Sequence, residues 1–313
     1  MSGEGSKFSG EFGEKIVDEL FKLIGWKKVI KGQDIDCIND DIHKGSSGNP
    51  RKTHGVDFIV KYVCPLVSRS EAHILVSAKH RKNYPETQRG KTTDFKSYLK
   101  DIAEATECYP SHNSYLESTP GTRSKEISNV IMWLNGTEGS ENESVINDIQ
   151  NFRNNDNVNY KTVYLVDNKK ANFLYSSIKY VQSIDPNYKF FYPDTGFNMD
   201  TFNRHHQGQV LPVQYINSPI LLFKIVESDG KGLIIVTEEK FNGEYFERLL
   251  QLARLLTINW ASKLIISFPN YNSYAHEEEV NFRKNKIEDN EFIEQISVKK
   301  FSYLDFRNLG GEL

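Results

Sequence analysis

The sequence predicts a mixed α/β protein with a core in residues 1–136, followed by a second α/β region. Helical and strand-like apolar patterns occur in the order helix, three strands, helix, strand up to about residue 136. Short apolar runs bounded by polar loops continue beyond that point. The 313 residues are 38% hydrophobic and include 19 Phe and 16 Tyr, which is enough apolar material for a sizeable core.

The first predicted element is an amphipathic helix over residues 10–24. Its apolar residues recur at helical spacing, and Gly25 ends the run just before Trp26. Glu14 falls at the margin of the apolar face, where a carboxylate can reach over a neighbouring sheet. An ordinary solvated acid explains Glu14 equally well from this helix alone.

Three strands, a second helix and a fourth strand follow this helix. The strand segments are rich in Val, Ile, Phe and Tyr, and the loop at 39–53 has the Gly, Ser, Asn and Pro content of a turn region. The second and third strands form a hairpin with a long loop in the simplest arrangement. The predicted strands cover residues 29–38, 56–63, 73–80 and 127–134, and the helix covers residues 93–107.

A polar stretch at 136–143 predicts a boundary between a domain at 1–136 and an additional α/β region at 144–313. No motif in the second region indicates a particular chemistry, so we expect it to recognise a partner or the substrate. Its predicted strands are 162–166, 189–192, 220–226, 233–236 and 264–268, and its predicted helices are 171–181 and 244–256.

Charge and targeting signals limit the possible partners. Lys and Arg total 39 against 42 Asp and Glu, so any polyanion must be bound by a local cationic patch. Three scattered cysteines do not form a disulfide framework, and the polar start lacks an apolar stretch of signal-peptide length. Apolar runs are shorter than the roughly 20 residues of a membrane-spanning helix. We therefore expect a cytoplasmic protein with no membrane partner.

An acid and a lysine interrupt the second and third predicted strands. Asp57 lies in the segment His-Gly-Val-Asp-Phe-Ile-Val, and Lys79 follows Leu-Val-Ser-Ala. Alternation along a strand predicts that Ser77 and Lys79 share one face. Burying a charged group within an apolar strand costs free energy of folding unless the charge is paired or hydrogen-bonded. For these two residues taken alone, a structural ion pair between Asp57 and Lys79 is the simplest explanation.

Taken together, Glu14 on the opening helix, Gly-Val-Asp57 on one strand and Ala-Lys79 on the next resemble the PD-(D/E)XK nuclease superfamily. The resemblance covers residues 10 to about 136, and it implies a restriction-endonuclease-like αβββαβ core with a mixed sheet. It also implies that Asp57 is the principal metal ligand, Lys79 the catalytic lysine and Glu14 an auxiliary acid. The implied cofactor is Mg²⁺ or Mn²⁺.

Ser77 departs from this pattern, because the superfamily prefers Glu, Asp or Gln at that position. A hydroxyl supplies one oxygen without the charge of a carboxylate, so we expect metal binding at Ser77 to be weaker or shared. Glu14, Asp36 or the main-chain carbonyl of Ala78 could compensate. Alternatively, the site is inactive.

Several cations follow Lys79 directly, with an aromatic residue and a glycine among them. Cations next to the predicted site in a net-acidic chain are what contacts with a phosphate backbone require. A solvated charged loop is the alternative. The predicted nucleic-acid-binding residues are Arg81, Lys82, Arg89 and Lys91.

A further candidate metal site comprises Cys37, His43, His54 and Cys64. Their spacing is irregular and lacks the close Cys-x-x-Cys pair of many zinc sites. Buried thiols and turn histidines are the expected explanation.

The sequence therefore predicts a metal-dependent endonuclease that hydrolyses DNA, with RNA as an alternative substrate. The resemblance further implies a prokaryotic anti-phage defence setting, in which a protein partner subunit or a homo-oligomer is possible. The competing hypothesis is a catalytically inert nucleic-acid-binding or assembly subunit that retains the nuclease fold. Ser77 is the feature that favours it.

Overall fold

The computed structural model describes residues 2–45, 47–153, 160–198, 207–227, 230–258 and 260–310. The chain forms two compact units. The first comprises Met1–Ala171 and Phe306–Leu313, and the second comprises Asn172–Asp305. This division falls later in the chain than the boundary predicted at 136–143.

The first unit is built on a mixed sheet with helices packed against it. Its elements are α1 (Ser2–Leu23), β1 (Val29–Asp36), β2 (Thr53–Val63), β3 (Ser70–Arg81), α2 (Gln88–Cys108), α3 (Asn113–Leu116), β4 (Ser124–Asn135), α4 (Ile146–Ile149) and β5 (Val163–Val166). The order of α1 to β4 confirms the predicted αβββαβ core when the short α3 is set aside. β5 then extends the same sheet.

Both long helices begin before their predicted ranges, and a local interaction explains the start of the second. α1 begins at Ser2, well before residue 10. α2 begins at Gln88 because the Thr87 side chain accepts a hydrogen bond from the Gly90 N–H and caps the helix. This cap lies within the polar segment that periodicity alone assigned to a loop.

The strand order in the first sheet is β1-β2-β3-β4-β5. β1, β2 and β3 are antiparallel neighbours, whereas β3 is parallel to β4 and β4 is parallel to β5. Pairing between β2 and β3 stops at Phe58 and Val76. β3 nevertheless stays paired with β4 as far as Arg81 and Asn135. β2 and β3 therefore separate beyond this pair, and Asp57 and Ser77 are the first residues of the separated strand ends.

Gly32 of β1 lies at this opening. Its neighbours Lys31 and Gln33 pair with Phe58 and Val56, so Gly32 lies across from Asp57. Its φ of +56° is in the left-handed region, which glycine adopts without a Cβ penalty. The distortion of β1 is thus centred opposite the predicted metal ligand.

The sheet is buried on both faces. On one face, Ile59, Leu75 and Ile131 form a core with Tyr98 and Ile102 of α2. On the other face, Phe21 of α1 packs edge-to-face on Phe58, with ring centroids 5.3 Å apart. α1 and α2 therefore cover opposite sides of β2 and β3.

The second unit contains another mixed sheet with strand order β11-β10-β9-β8-β6-β7. Its elements are α5 (Asn168–Ile184, which begins in the first unit), β6 (Lys189–Phe191), β7 (Gln207–Gly208), β8 (Ile220–Glu227), β9 (Gly230–Thr237), α6 (Gly243–Thr257), β10 (Lys263–Phe268), α7 (Ser273–Lys284), α8 (Asn290–Glu294) and β11 (Ile296–Lys300). The strands and helices predicted between residues 171 and 268 are present, whereas the strand predicted at 162–166 is β5 of the first sheet. The α/β fold class is confirmed. Within the described ranges, no helix is both long and apolar enough to cross a membrane.

Candidate active site

Asp57 lies at the point where β2 and β3 separate. Its Oδ2 accepts a hydrogen bond of 2.7 Å from the main-chain N–H of Ala78. The side chain thus replaces the main-chain acceptor that a continued ladder would have supplied. A carboxylate has several lone-pair sites, so this bond fixes the group and leaves it able to bind a cation.

Ser77 and Lys79 lie next to this bond on β3, opposite Ile131 and Trp133 of β4. The side chain of Ser77 is buried, and the ammonium of Lys79 lies 5.6 Å from the ring centre of Tyr98 on α2. This places Lys79 on the α2 side of the sheet, the side of Leu75, as alternation from Ser77 predicts. Burial raises the pKa of Tyr98 to about 12, so its phenol stays neutral at physiological pH.

The structural ion pair is not the arrangement found. Among the described residues, no salt bridge joins Asp57 to Lys79. Asp57 instead bonds to the Ala78 N–H, and Lys79 lies against an aromatic ring. Neither charged group neutralises the other, so both remain available to a ligand.

A cleft of about 280 Å³ opens beside these residues. Glu14, exposed on α1, lines it together with Ala78 and Lys79. The complete lining consists of Gly13, Glu14, Val17, Ala78, Lys79, His80, Arg81, Tyr98, Met132 and Leu134. We call this the Lys79 cleft. The structure thus brings Glu14 to the same cleft as Lys79, and it joins Asp57 to the cleft through Ala78.

Asp36 is not brought to the site. It pairs with Thr53, whereas the residue across from Asp57 is Gly32. At roughly 3.3 Å per residue, this register puts Asp36 about 13 Å along the sheet from Asp57. Of the groups considered as substitutes for an acid at Ser77, Glu14 and the carbonyl of Ala78 remain.

The donor atoms near the Lys79 cleft suit a hard divalent cation. They are the carboxylates of Asp57 and Glu14, the hydroxyl of Ser77 and the main-chain carbonyl of Ala78. All four are oxygen donors, which Mg²⁺ and Mn²⁺ prefer. Two of these candidate donors are carboxylates: Glu14 lines the cleft, and Asp57 is bonded to Ala78 beside it.

The four predicted nucleic-acid-binding cations differ in their surroundings. Lys82 and Arg89 are exposed. Arg81 is about half exposed, and it binds Asp94 with an N–O distance of 2.6 Å. The side chain of Lys91 is only 12% exposed and forms a 2.8 Å salt bridge with Asp148. Lys91 therefore ties α2 to α4, whereas Lys82 and Arg89 offer their charge to solvent.

Two residues of the cleft were not singled out by sequence reasoning. Tyr98 was recognised only as part of an apolar helix face, although its ring contacts Lys79. Gly13 is buried, and α1 approaches β3 so closely there that a Cβ on Gly13 would lie 2.6 Å from Cγ of His80. A glycine within a helical run, directly before the candidate acid Glu14, was the available signal.

The comparison with known families agrees with this geometry. The family model of the GAPS4 protein PD-(D/E)XK nuclease domain matches residues 1–170, more than half of the chain. The chain belongs to this family. No curated protein matches it. The PD-(D/E)XK domain identifies the chain as a nuclease, which implies a nucleic-acid substrate, and nucleases of this kind generally use divalent metal ions. The matched residues end one residue before the C-terminal limit of the first unit's main segment, Ala171.

Proposed function

We propose that this GAPS4-type PD-(D/E)XK domain is an Mg²⁺- or Mn²⁺-dependent endonuclease that hydrolyses DNA in a prokaryotic defence system. The observation that supports this most strongly is the hydrogen bond between Asp57 and the Ala78 N–H. It fixes the Asp57 carboxylate at the opening of the sheet, against the residue that precedes Lys79. Among the described residues, no ion pair joins Asp57 to Lys79, so both charges can act on a ligand.

Each side chain has a distinct part in this proposal. Asp57 is the principal ligand of the divalent ion, with Glu14 and the Ala78 carbonyl as further oxygen donors. Such an ion, when bound, neutralises the phosphoryl oxygens and lowers the pKa of a coordinated water. Lys79 orients the attacking water and stabilises the charge that develops on phosphate. Tyr98 supports the lysine by offering its ring face to the ammonium.

The exposed cations favour a polyanionic substrate that passes along the start of α2. Arg89 lies in the first turn of α2, and that turn contains no acidic residue. A cation at a helix N-terminus is repelled by the positive end of the helix dipole, and a bound anion offsets this repulsion. Phosphates of a nucleic acid would satisfy both Arg89 and Lys82. These contacts do not distinguish DNA from RNA, so both substrates belong in the assay.

The proposal is tested by incubating the full-length protein with supercoiled plasmid DNA and, in parallel, with structured RNA. We expect cleavage of DNA with Mg²⁺ or Mn²⁺ and none with EDTA. Cleavage of RNA alone would correct the substrate. No cleavage of either, together with no divalent-ion binding by calorimetry in the presence of DNA, would contradict the proposal and favour the inert subunit. Loss of ion binding in Asp57→Asn would assign the ion to this site.

A second prediction concerns the cations. Neutralising Lys82 and Arg89 together should weaken DNA binding and flatten the plot of log affinity against log salt, because fewer counterions are released. Fluorescence anisotropy at several salt concentrations measures both quantities.

Lys91→Ala is the matched control for this pair of substitutions. It should change the salt dependence less than the double variant does, since Lys91 is mostly buried against Asp148. It should also lower the melting temperature more, because the Asp148 carboxylate loses its partner. A salt slope that falls with Lys91→Ala but not with the double variant would place the DNA path elsewhere.

A further inference from the structure

A second cluster of metal-ligating side chains lies in the first unit, formed by Cys37, His43, His54 and Cys108. One ligand atom from each lies within 4.8 Å of all the others. The histidines and Cys108 are buried, and Cys37 is partly buried. The structure thus brings together three of the four residues considered from the sequence, but it replaces Cys64 with Cys108.

The distances in this cluster match a tetrahedral metal site. His43 Nδ1 lies 3.2 Å from His54 Nε2, 3.4 Å from the Cys37 sulfur and 3.6 Å from the Cys108 sulfur. The Cys108 sulfur also lies 3.6 Å from His54 Nε2. With ordinary zinc bond lengths, tetrahedral geometry gives about 3.3 Å between two nitrogens and about 3.6 Å between nitrogen and sulfur.

The outward-facing nitrogen of each histidine has a carboxylate nearby. His43 Nε2 donates to the Glu107 carboxylate at 3.0 Å, which leaves the lone pair of Nδ1 directed into the cluster. His54 Nδ1 is buried without a hydrogen-bond partner and lies 4.0 Å from Glu104 Oε2. A carboxylate behind each imidazole is the usual outer arrangement of a histidine zinc ligand.

The four ligands come from three parts of the first unit. The segment after β1 supplies Cys37 and His43, the start of β2 supplies His54, and the end of α2 supplies Cys108.

We propose that Cys37, His43, His54 and Cys108 form a structural zinc site. Two thiolates and two imidazoles in tetrahedral array select zinc over the hard cations suited to the Lys79 cleft. All four positions are occupied by protein, so no position is open for a substrate or water, and the site is structural rather than catalytic. It fastens the loop after β1 and the start of β2 to the end of α2. The metal-binding free energy thereby adds to the stability of the nuclease unit.

The test is the metal content of the wild-type protein, purified under reducing conditions without chelator and measured by inductively coupled plasma mass spectrometry. We expect about one zinc ion per chain, lost in Cys37→Ser and Cys108→Ser. Cys64→Ser is the matched control, because Cys64 is also a buried free thiol but lies outside the cluster. Cys64→Ser and Asp57→Asn should both retain zinc, and the latter separates this site from the catalytic metal.

A second measurement covers the case in which a cysteine variant fails to fold. Zinc is removed from the wild type with a strong chelator under reducing conditions and replaced by Co²⁺. The expected results are a lower melting temperature of the metal-free protein, and thiolate-to-cobalt charge-transfer bands with the intense visible bands of tetrahedral Co²⁺. Wild type that contains no zinc and takes up neither Zn²⁺ nor Co²⁺ would overturn the proposal. A disulfide between Cys37 and Cys108 in the metal-free purified protein would overturn it as well.

Discussion

Lys79→Met and Asp57→Asn should each lower the rate of DNA cleavage by about 10²- to 10⁴-fold, the range typical for loss of a positioned catalytic group. Methionine keeps most of the apolar stem of Lys79 beside Tyr98 and removes only the ammonium. Asparagine at 57 keeps an oxygen that can accept from the Ala78 N–H, but it loses the negative charge needed for a cation. Both variants therefore remove chemistry while preserving the contacts of the fold. Initial rates of plasmid nicking measure the effect.

The control for this prediction is Asp57→Ala. Alanine leaves the Ala78 N–H without its acceptor, which costs about 1–3 kcal/mol when the group is buried. Asp57→Ala should therefore lower the melting temperature, whereas Asp57→Asn should lower it little, although both should slow cleavage strongly. If Asp57→Asn cleaved at the wild-type rate while Asp57→Ala did not, the carboxylate would be a structural acceptor and not a metal ligand.

The sequence was sufficient to predict the core of the nuclease unit and the faces on which Ser77, Lys79 and Glu14 lie. Strand alternation placed Ser77 and Lys79 together, and helical periodicity put Glu14 at the edge of a buried face. Both predictions depend on local geometry, because a strand or helix fixes which side chains share a face. The opening between β2 and β3, which brings Asp57 to Ala78, depends on register across strands and has no local signal.

Long-range pairing explains the other differences. β5 joins the first sheet beside β4 although the polar segment at 136–143 precedes it, and the two compact units divide after Ala171. Composition marks the polar segment but carries no signal of this pairing. Cys108 reaches Cys37, His43 and His54 only because the end of α2 packs against the start of β2. The sequence separation between Cys108 and these residues exceeds the ligand spacing of the common short zinc motifs. Cys64 is nearer to His54 in sequence but lies outside the cluster.

Gly13→Ala should destabilise the first unit and also reduce cleavage. A Cβ at Gly13 would lie 2.6 Å from Cγ of His80 and closer still to its Cβ, so α1 or β3 must shift. Such overpacking costs about 1–3 kcal/mol. Helix propensity acts in the opposite direction, since alanine stabilises a helix interior by about 1 kcal/mol relative to glycine. Because both clashing atoms lie next to the backbone, we expect the steric cost to prevail. Any shift of α1 also displaces Glu14 from the Lys79 cleft.

Thermal unfolding and plasmid cleavage measure the two effects of Gly13→Ala, and two variants isolate their cause. Lys15→Ala, at an exposed position of the same helix, should leave both quantities nearly unchanged. His80→Gly removes the opposing Cβ, so adding Gly13→Ala to His80→Gly should cost no stability and should gain the helix propensity of alanine. A melting temperature that rises with Gly13→Ala alone would mean that propensity dominates. In that case the close approach of α1 to β3 would not be what holds Glu14 at the cleft.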